Sequence, residues 1–281
     1  MMLSFIHWNI NPEFVNIFGI SLKYYGCLFV GGLLLCSYIL QWIFKNENIS
    51  LDNLEKLTIY AIIGIIAGAR LGHCLFYEPS YYLSHPFEII LPIQPTADGG
   101  YKFAGFQGLA SHGGVLGLLI GLYLYSRKTK QSIINTIDLI ALVSGLGFGL
   151  IRLGNFMNSE IIGVPTTLPW GVIFERIDNT PRHPAQLYEA ISYFMIFSVM
   201  MIIYIKLRDR LKNGFFFGLG TILFCTARFL IEFVKEDQVG FEYGMMFNMG
   251  QLLSLPFVVV GIGMMIYGFV TTKNNKSSTD D

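Results

Sequence analysis

The chain has 281 residues, of which 53% are hydrophobic and 14% charged, where soluble domains average about 25% charged. That composition excludes a disordered chain and argues against a water-soluble enzyme, because the apolar residues gather into blocks of about twenty, each able to cross the roughly 30 Å hydrocarbon core as a helix. Nineteen basic and nineteen acidic residues cancel, so no basic field is available to hold nucleic acid and any charge logic is local.

The blocks predict an all-α polytopic membrane protein with seven spans, near 20–44, 57–77, 108–126, 133–154, 187–205, 214–234 and 247–271. The stretch before Lys23 has neither a basic n-region nor a small-residue cleavage pattern, so the first span is read as its own insertion signal. With the N-terminus outside, the inner segments carry eleven lysines and arginines and the outer segments five. The short basic loops around Lys128 and Arg208 then fix the orientation as N-terminus out and C-terminus in. The outer loops 78–107 and 155–186 are rich in Pro, Gly and Tyr, and connections of that length are usually functional. Short strands are expected there, around Tyr101–Phe106 and Trp170–Phe174. The reading is one transmembrane domain over 1–271, followed by a polar, unordered cytoplasmic tail over 272–281.

Three arginines, Arg70, Arg152 and Arg228, lie within or at the end of spans two, four and six. A membrane arginine costs about 2.5–3.5 kcal/mol on insertion scales, so it faces the bundle interior or a watery cavity and finds a partner, or else snorkels. The four cysteines, Cys27, Cys36, Cys74 and Cys225, all fall in spans without a CxxC pair, as small buried hydrophobes do. No HExxH, paired-aspartate or CxxC…CxxC pattern appears, so neither a metal nor another cofactor is expected.

Four polar runs interrupt the apolar background. Ser111-His112-Gly113-Gly114 opens span three, where an imidazole beside paired glycines suits either proton transfer near neutral pH or close helix packing. Arg152-Leu153-Gly154-Asn155-Phe156-Met157-Asn158-Ser159-Glu160 ends span four, with Arg152 and Asn155 on one helix face; guanidinium plus amides make a clamp for phosphate oxygens. Arg182-His183-Pro184-Ala185-Gln186-Leu187-Tyr188-Glu189 leads into span five, directing Gln186 and Glu189 the same way, and also reads as an ordinary helix start. In span six Arg228 and Glu232 are four apart, the spacing of an intrahelical ion pair. Tyr24-Tyr25-Gly26 offers a hydroxyl at span one, where tyrosine is also a common interface anchor. Together these groups suit an anionic lipid head group.

The SHGG run, RLGNFxNxE, HPxQLYE, RFxxEF before an acidic loop, and Met249-Gly250-Gln251-Leu252-Leu253-Ser254-Leu255-Pro256 occur in this order from about Tyr24 to Pro256. This series resembles the prolipoprotein diacylglyceryl transferase family, and five ordered motifs make the resemblance specific. It implies a bacterial inner-membrane enzyme that transfers the diacylglyceryl group of phosphatidylglycerol to the lipobox cysteine of a prolipoprotein and releases glycerol phosphate. It also implies catalytic roles for His112, Arg152, Arg228 and Glu232, and phosphatidylglycerol contacts from Tyr25, Arg70, Arg152, Asn155, Asn158, Glu160 and Gly163. His183, Gln186 and Glu189 would act in support. One departure is Phe224, where the family often has tyrosine.

The implied chemistry matches the residue types. As sulfur attacks the glyceryl carbon, negative charge grows on the departing phosphate, and preorganised guanidinium groups in low dielectric stabilise it. His112 is the candidate base for a thiol of reference pKa near 8.5. An intramembrane serine protease fits poorly, because Ser111 and His112 are neighbours whose side chains diverge on a helix. A lipid scramblase or anion transporter would use buried arginines too but would make no covalent product, and a lipid-binding scaffold would do neither.

Overall fold

The structure is a computed structural model that describes residues 5–17, 20–90, 93–95, 100–103, 110–236 and 247–277. In chain order the helices are α1 (Tyr24–Asn46), α2 (Leu51–Phe76), the short α3 (Pro79–Ser84) and α4 (Phe87–Ile90), α5 (Ser111–Thr129), α6 (Ile133–Asn158), α7 (Ala185–Leu207), α8 (Phe215–Glu232) and α9 (Met249–Ser277). Each predicted span therefore meets a long helix. Among the described residues six of these, all but α5, are long and apolar enough to cross a membrane. Four glycines and a basic last turn make α5 less apolar than its neighbours.

Two boundaries moved for identifiable reasons. The α2 helix starts six residues before the predicted 57, because the Ser50 hydroxyl accepts from the Asp52 N–H at 3.3 Å and Lys56 pairs with Asp52 at 2.6 Å. A capped, ion-paired polar turn is helical without being apolar. The α9 helix continues to Ser277, so the tail expected to be unordered begins as helix.

The chain divides into two compact units, Phe44–Thr136 and the remainder, Met1–Ile43 with Ile137–Asp281. In the Phe44–Thr136 unit, α2 and α5 meet backbone to backbone through Gly64, Gly68 and Gly72 against Gly113, Gly117 and Gly121. A Cβ added at Gly68 would stand 2.7 Å from the Gly117 Cα, and one at Gly72 2.9 Å from the Gly113 Cα. Small residues are what let membrane helices approach this closely. The hairpin of β4 (Ile93–Pro95) and β5 (Tyr101–Phe103) also lies here and is antiparallel.

The larger unit packs α1, α6, α7, α8 and α9. Cys36 donates to the Val143 carbonyl between α1 and α6 at 3.4 Å, and Trp42 meets Tyr204 edge-on between α1 and α7. At the start of α8, Gly214 takes φ +101° and the buried Asp138 carboxylate of α6 accepts from the Gly214 and Phe217 N–H groups, both at 2.8 Å. A carboxylate from a neighbouring helix thus fills the role of a local cap.

Outside the spans, β1 (Ile6–Trp8) pairs in parallel with β6 (Val172–Phe174), and β6 pairs antiparallel with β7 (Pro181–Arg182). A second hairpin joins β2 (Glu13–Ile17) and β3 (Ile20–Lys23). The expected strand near Trp170–Phe174 is β6 and that near Tyr101–Phe106 is β5, whereas β1 to β3 carried no sequence signal. The sheet closes a small core of Phe156, Ile162, Val172 and Phe174, with the Trp8 ring centroid 4.2 Å from that of Phe156. This core fixes the C-terminal end of α6.

Candidate functional site

The site grows from the way α6 ends. Ser159 and Ile161 both take positive φ, 57° and 56°, a conformation unfavourable for any side chain and most of all for a β-branched one. Glu160 sits between them and is held from both sides. Asn155 donates to Glu160 Oε2 at 3.1 Å and Asn158 to Oε1 at 3.0 Å, while the Gln186 amide of α7 donates to the Glu160 carbonyl. The strain is thus spent on presenting one carboxylate to two amides.

Arg152, one turn earlier on α6, donates to the Asn155 side-chain oxygen at 3.3 Å and stands 2.9 Å from Glu189 on α7. Glu189 is fully buried and also lies 3.6 Å from the Lys235 ammonium, which is in turn 3.1 Å from Glu232. Arg152, Glu189, Lys235 and Glu232 form a buried quartet of two cations and two anions, with charges balanced as burial requires. Both Glu189 oxygens lack a well-aligned hydrogen bond, so Coulomb attraction holds this pair more than directed bonding does.

The ion pair that the spacing allows in span six is not the one found. Glu232 turns to Lys235, three residues on, and among the described residues Arg228 makes no ion pair. The reason is the turn at Phe233-Val234, after which Lys235 folds back beneath the helix end. Its backbone bridges to Gly163, Val164 N–H donates to the Val234 carbonyl at 3.0 Å, and Glu236 N–H donates to the Ile162 carbonyl at 3.2 Å. Arg228 is exposed, and its charge and that of Arg152 both act on the Tyr193 hydroxyl. Phe224 lies ring against ring with Tyr193, centroids 5.4 Å apart.

Glycines make room at three points. A Cβ at Gly154 would lie 2.8 Å from the Tyr25 ring, at Gly163 2.5 Å from the His183 Cβ, and at Gly250 2.8 Å from the Glu232 carboxyl carbon. Gly163 therefore serves close passage of three backbone segments, and its N–H donates to the His183 carbonyl at 2.9 Å. His183 itself contacts the Tyr188 hydroxyl at 3.1 Å, which accepts from Trp170 at 2.8 Å. Arg182 ties the same layer together through Asp178 at 2.6 Å, Glu236 at 3.2 Å and the Gly163 carbonyl. The adjacent guanidinium holds the Asp178 carboxyl below the usual carboxylate range.

Beside the Asn155–Glu160 network opens a cavity of about 930 Å³, lined by Ser21, Lys23, Tyr25, Asn158 and Glu160 at its polar part and by Cys27, Val30 and Leu34 of α1 along an apolar wall. A groove with an apolar length and a polar end fits an amphiphile.

Two candidate residues belong to the Phe44–Thr136 unit. Arg70 is buried, and its guanidinium donates to the Glu88 and Ile89 carbonyls of α4 and to the Tyr82 hydroxyl, a tie that secures the α3–α4 segment. His112 is the second residue of α5, and its side chain lies outside the described residues. Among the described residues no group of three or more His, Cys, Asp or Glu is placed to hold a metal ion. Sequence reasoning missed Lys235, which reads as an ordinary loop lysine; its only local signal is its position three residues after Glu232.

A family model described as prolipoprotein diacylglyceryl transferase matches residues 12–267. A phosphatidylglycerol-prolipoprotein diacylglyceryl transferase of Bacteroides fragilis is 50% identical over 266 residues, which cover 95% of this chain and 96% of the relative. Proteins of the same name from Chloroherpeton thalassium and Porphyromonas gingivalis are 42% identical over 278 residues and 40% identical over 280 residues. The matches cover 98% of both chains in the first case and 94% of both in the second.

Proposed function

The chain belongs to the prolipoprotein diacylglyceryl transferase family, and from that premise we propose that it transfers the diacylglyceryl group of phosphatidylglycerol to the lipobox cysteine of prolipoproteins. This is the first step of lipoprotein maturation. The observation that carries the reading is the cavity whose apolar wall on α1 leads to Tyr25, Asn158 and Glu160, joined through Asn155 to the buried Arg152 quartet. An anionic diacyl lipid needs both parts.

In the reaction the thiol loses its proton and sulfur attacks the glyceryl carbon that bears the phosphoester. A carbon–sulfur bond forms, the carbon–oxygen bond breaks, and glycerol phosphate departs with the electron pair. Arg228, exposed and without an ion pair among the described residues, is the cation for the phosphate. Arg152, already neutralised by Glu189, orients Asn155 and adds field. Tyr25, Asn158, Glu160 and Gly163 shape the head-group end, His183, Gln186 and Glu189 brace it, and His112 accepts the thiol proton. Arg70 fixes the α3–α4 segment within the Phe44–Thr136 unit.

The same reading gives seven spans, α5 included, in one catalytic domain over residues 1–271. It sits in the bacterial inner membrane with the N-terminus outside and a cytoplasmic tail. In intact cells an impermeant thiol reagent should therefore miss cysteines placed beside Lys128 or Arg208; labelling there reverses the orientation. The activity is tested by mixing the purified protein with phosphatidylglycerol vesicles and a lipobox peptide. A diacylglyceryl mass increment on the cysteine is expected, and a peptide recovered unmodified overturns the assignment.

A further inference from the structure

Lys235 is a buried lysine outside every polar run that the sequence made prominent. Its side chain is 4% exposed, and it lies 3.1 Å from Glu232 and 3.6 Å from Glu189. Arg228 is one helical turn before Glu232, the spacing at which arginine and glutamate normally pair on a helix. That default pair is absent because Lys235 draws the Glu232 carboxylate toward the quartet, while Gly250 of α9 closes against the carboxylate from another side. The quartet is neutral without Arg228. The guanidinium is left with its full charge.

We propose that Lys235 is a positioning residue for anion recognition: by retaining Glu232 in the buried quartet it keeps Arg228 unneutralised and available to a lipid phosphate. The proposal rests on the reading of Arg228 as the phosphate contact. Without Lys235, a buried Glu232 carboxylate lacks its counter-charge, and the strong cost of an uncompensated buried charge draws in the cation that helix geometry places nearest. Arg228 would then be spent internally.

Direct binding of short-chain phosphatidylglycerol to the purified protein separates this role from simple bracing, with phosphatidylcholine of the same chain length as the uncharged-head-group reference. Lys235→Met should weaken phosphatidylglycerol binding roughly tenfold, about the loss of one charge-assisted contact, and leave the phosphatidylcholine reference unchanged. Lys235→Arg should restore it. The deciding variant is Lys235→Met combined with Glu232→Gln, because a neutral amide cannot neutralise Arg228; its affinity should return to within about twofold of the parent. Glu232→Gln alone should bind phosphatidylglycerol at least as well as the parent, whatever it does to turnover, and it keeps the test alive should Lys235→Met not fold.

Lys235→Met binding like the parent, a double variant no tighter than the single one, or Glu232→Gln weakened about tenfold would each overturn the proposal. A brace alone predicts lower thermal stability in both Lys235→Met backgrounds and no recovery of binding. A parent protein that modifies no peptide and prefers neither lipid sinks the transferase reading itself. A parent that modifies the peptide while Lys235→Met binds normally sinks only the role of Lys235.

Discussion

Arg152 and Glu189 stand 2.9 Å apart between α6 and α7, and the glutamate is fully buried while the arginine side chain is 18% exposed. Arg228, by contrast, is exposed and makes no ion pair among the described residues. The two arginines therefore fail differently. Lysine keeps the charge but loses the planar fork, so Arg152→Lys and Arg228→Lys should both lose most activity in the peptide assay, and only Arg152→Lys should also lower the unfolding temperature in detergent. Glu189→Gln, which strands a buried cation, should cost about 3–5 kcal/mol of stability. Equal thermal losses for the two lysine variants would contradict this division.

His112→Gln should reduce peptide lipidation about 10²–10⁴-fold near neutral pH, the usual range for loss of a general base. The deficit should shrink as pH rises and the substrate thiol ionises unaided. A deficit independent of pH, measured against the parent over the same range, removes His112 from the proton path.

Gly68 faces Gly117 so closely that an added Cβ would stand 2.7 Å from the opposing Cα, whereas a Cβ at Gly263 of α9 meets nothing within 4 Å. Gly68→Ala forces the helices apart and should cost about 1–3 kcal/mol, as overpacking usually does. Gly263→Ala should cost nothing and gain slightly from helix propensity. Thermal unfolding of the two variants in detergent checks the contrast, and matching midpoints would refute it.

The layer built on β6 and β7 should loosen in acid. The Arg182 guanidinium depresses the Asp178 carboxyl when folded, so the pair's contribution is present above the unfolded reference value near 3.9 and fades as pH falls through the lower folded value. Amide exchange in residues 163–182 should accelerate as pH drops below about 4, relative to the intrinsic rate. In Asp178→Asn that acceleration should disappear, and its persistence would assign the effect to another group.

What the sequence revealed divides along physical lines. Long apolar blocks made α1, α2 and α6 to α9 visible because hydropathy accumulates over twenty residues; α5 was legible as a helix despite its glycines, but among the described residues it is not one of the helices apolar enough to cross a membrane. The three-residue β1 was invisible because its stability comes from a strand far along the chain and from Trp8 on Phe156, neither of which leaves a local pattern. The same holds for the site. Arg152, Asn155 and Glu160 share one continuous segment and were legible as a group. Lys235 was not, because it becomes buried only after a turn reverses it against Glu189, a residue on a different helix.

The pairing of β1 with β6 also sets an order of events. His7 bonds to Glu175 across 168 positions, so the strand made first must wait for a partner made after four of the long helices. At ribosomal speeds of about 5–20 residues per second this delay is on the order of ten seconds. During that time a short strand beyond the spans has no neighbour, and the C-terminal end of α6, with Asn155 and Glu160, has no lid of Trp8 over Phe156. The polar end of the candidate site is therefore one of the last regions to become rigid, and a bulky fusion placed just ahead of Ile6 would burden its assembly rather than its chemistry.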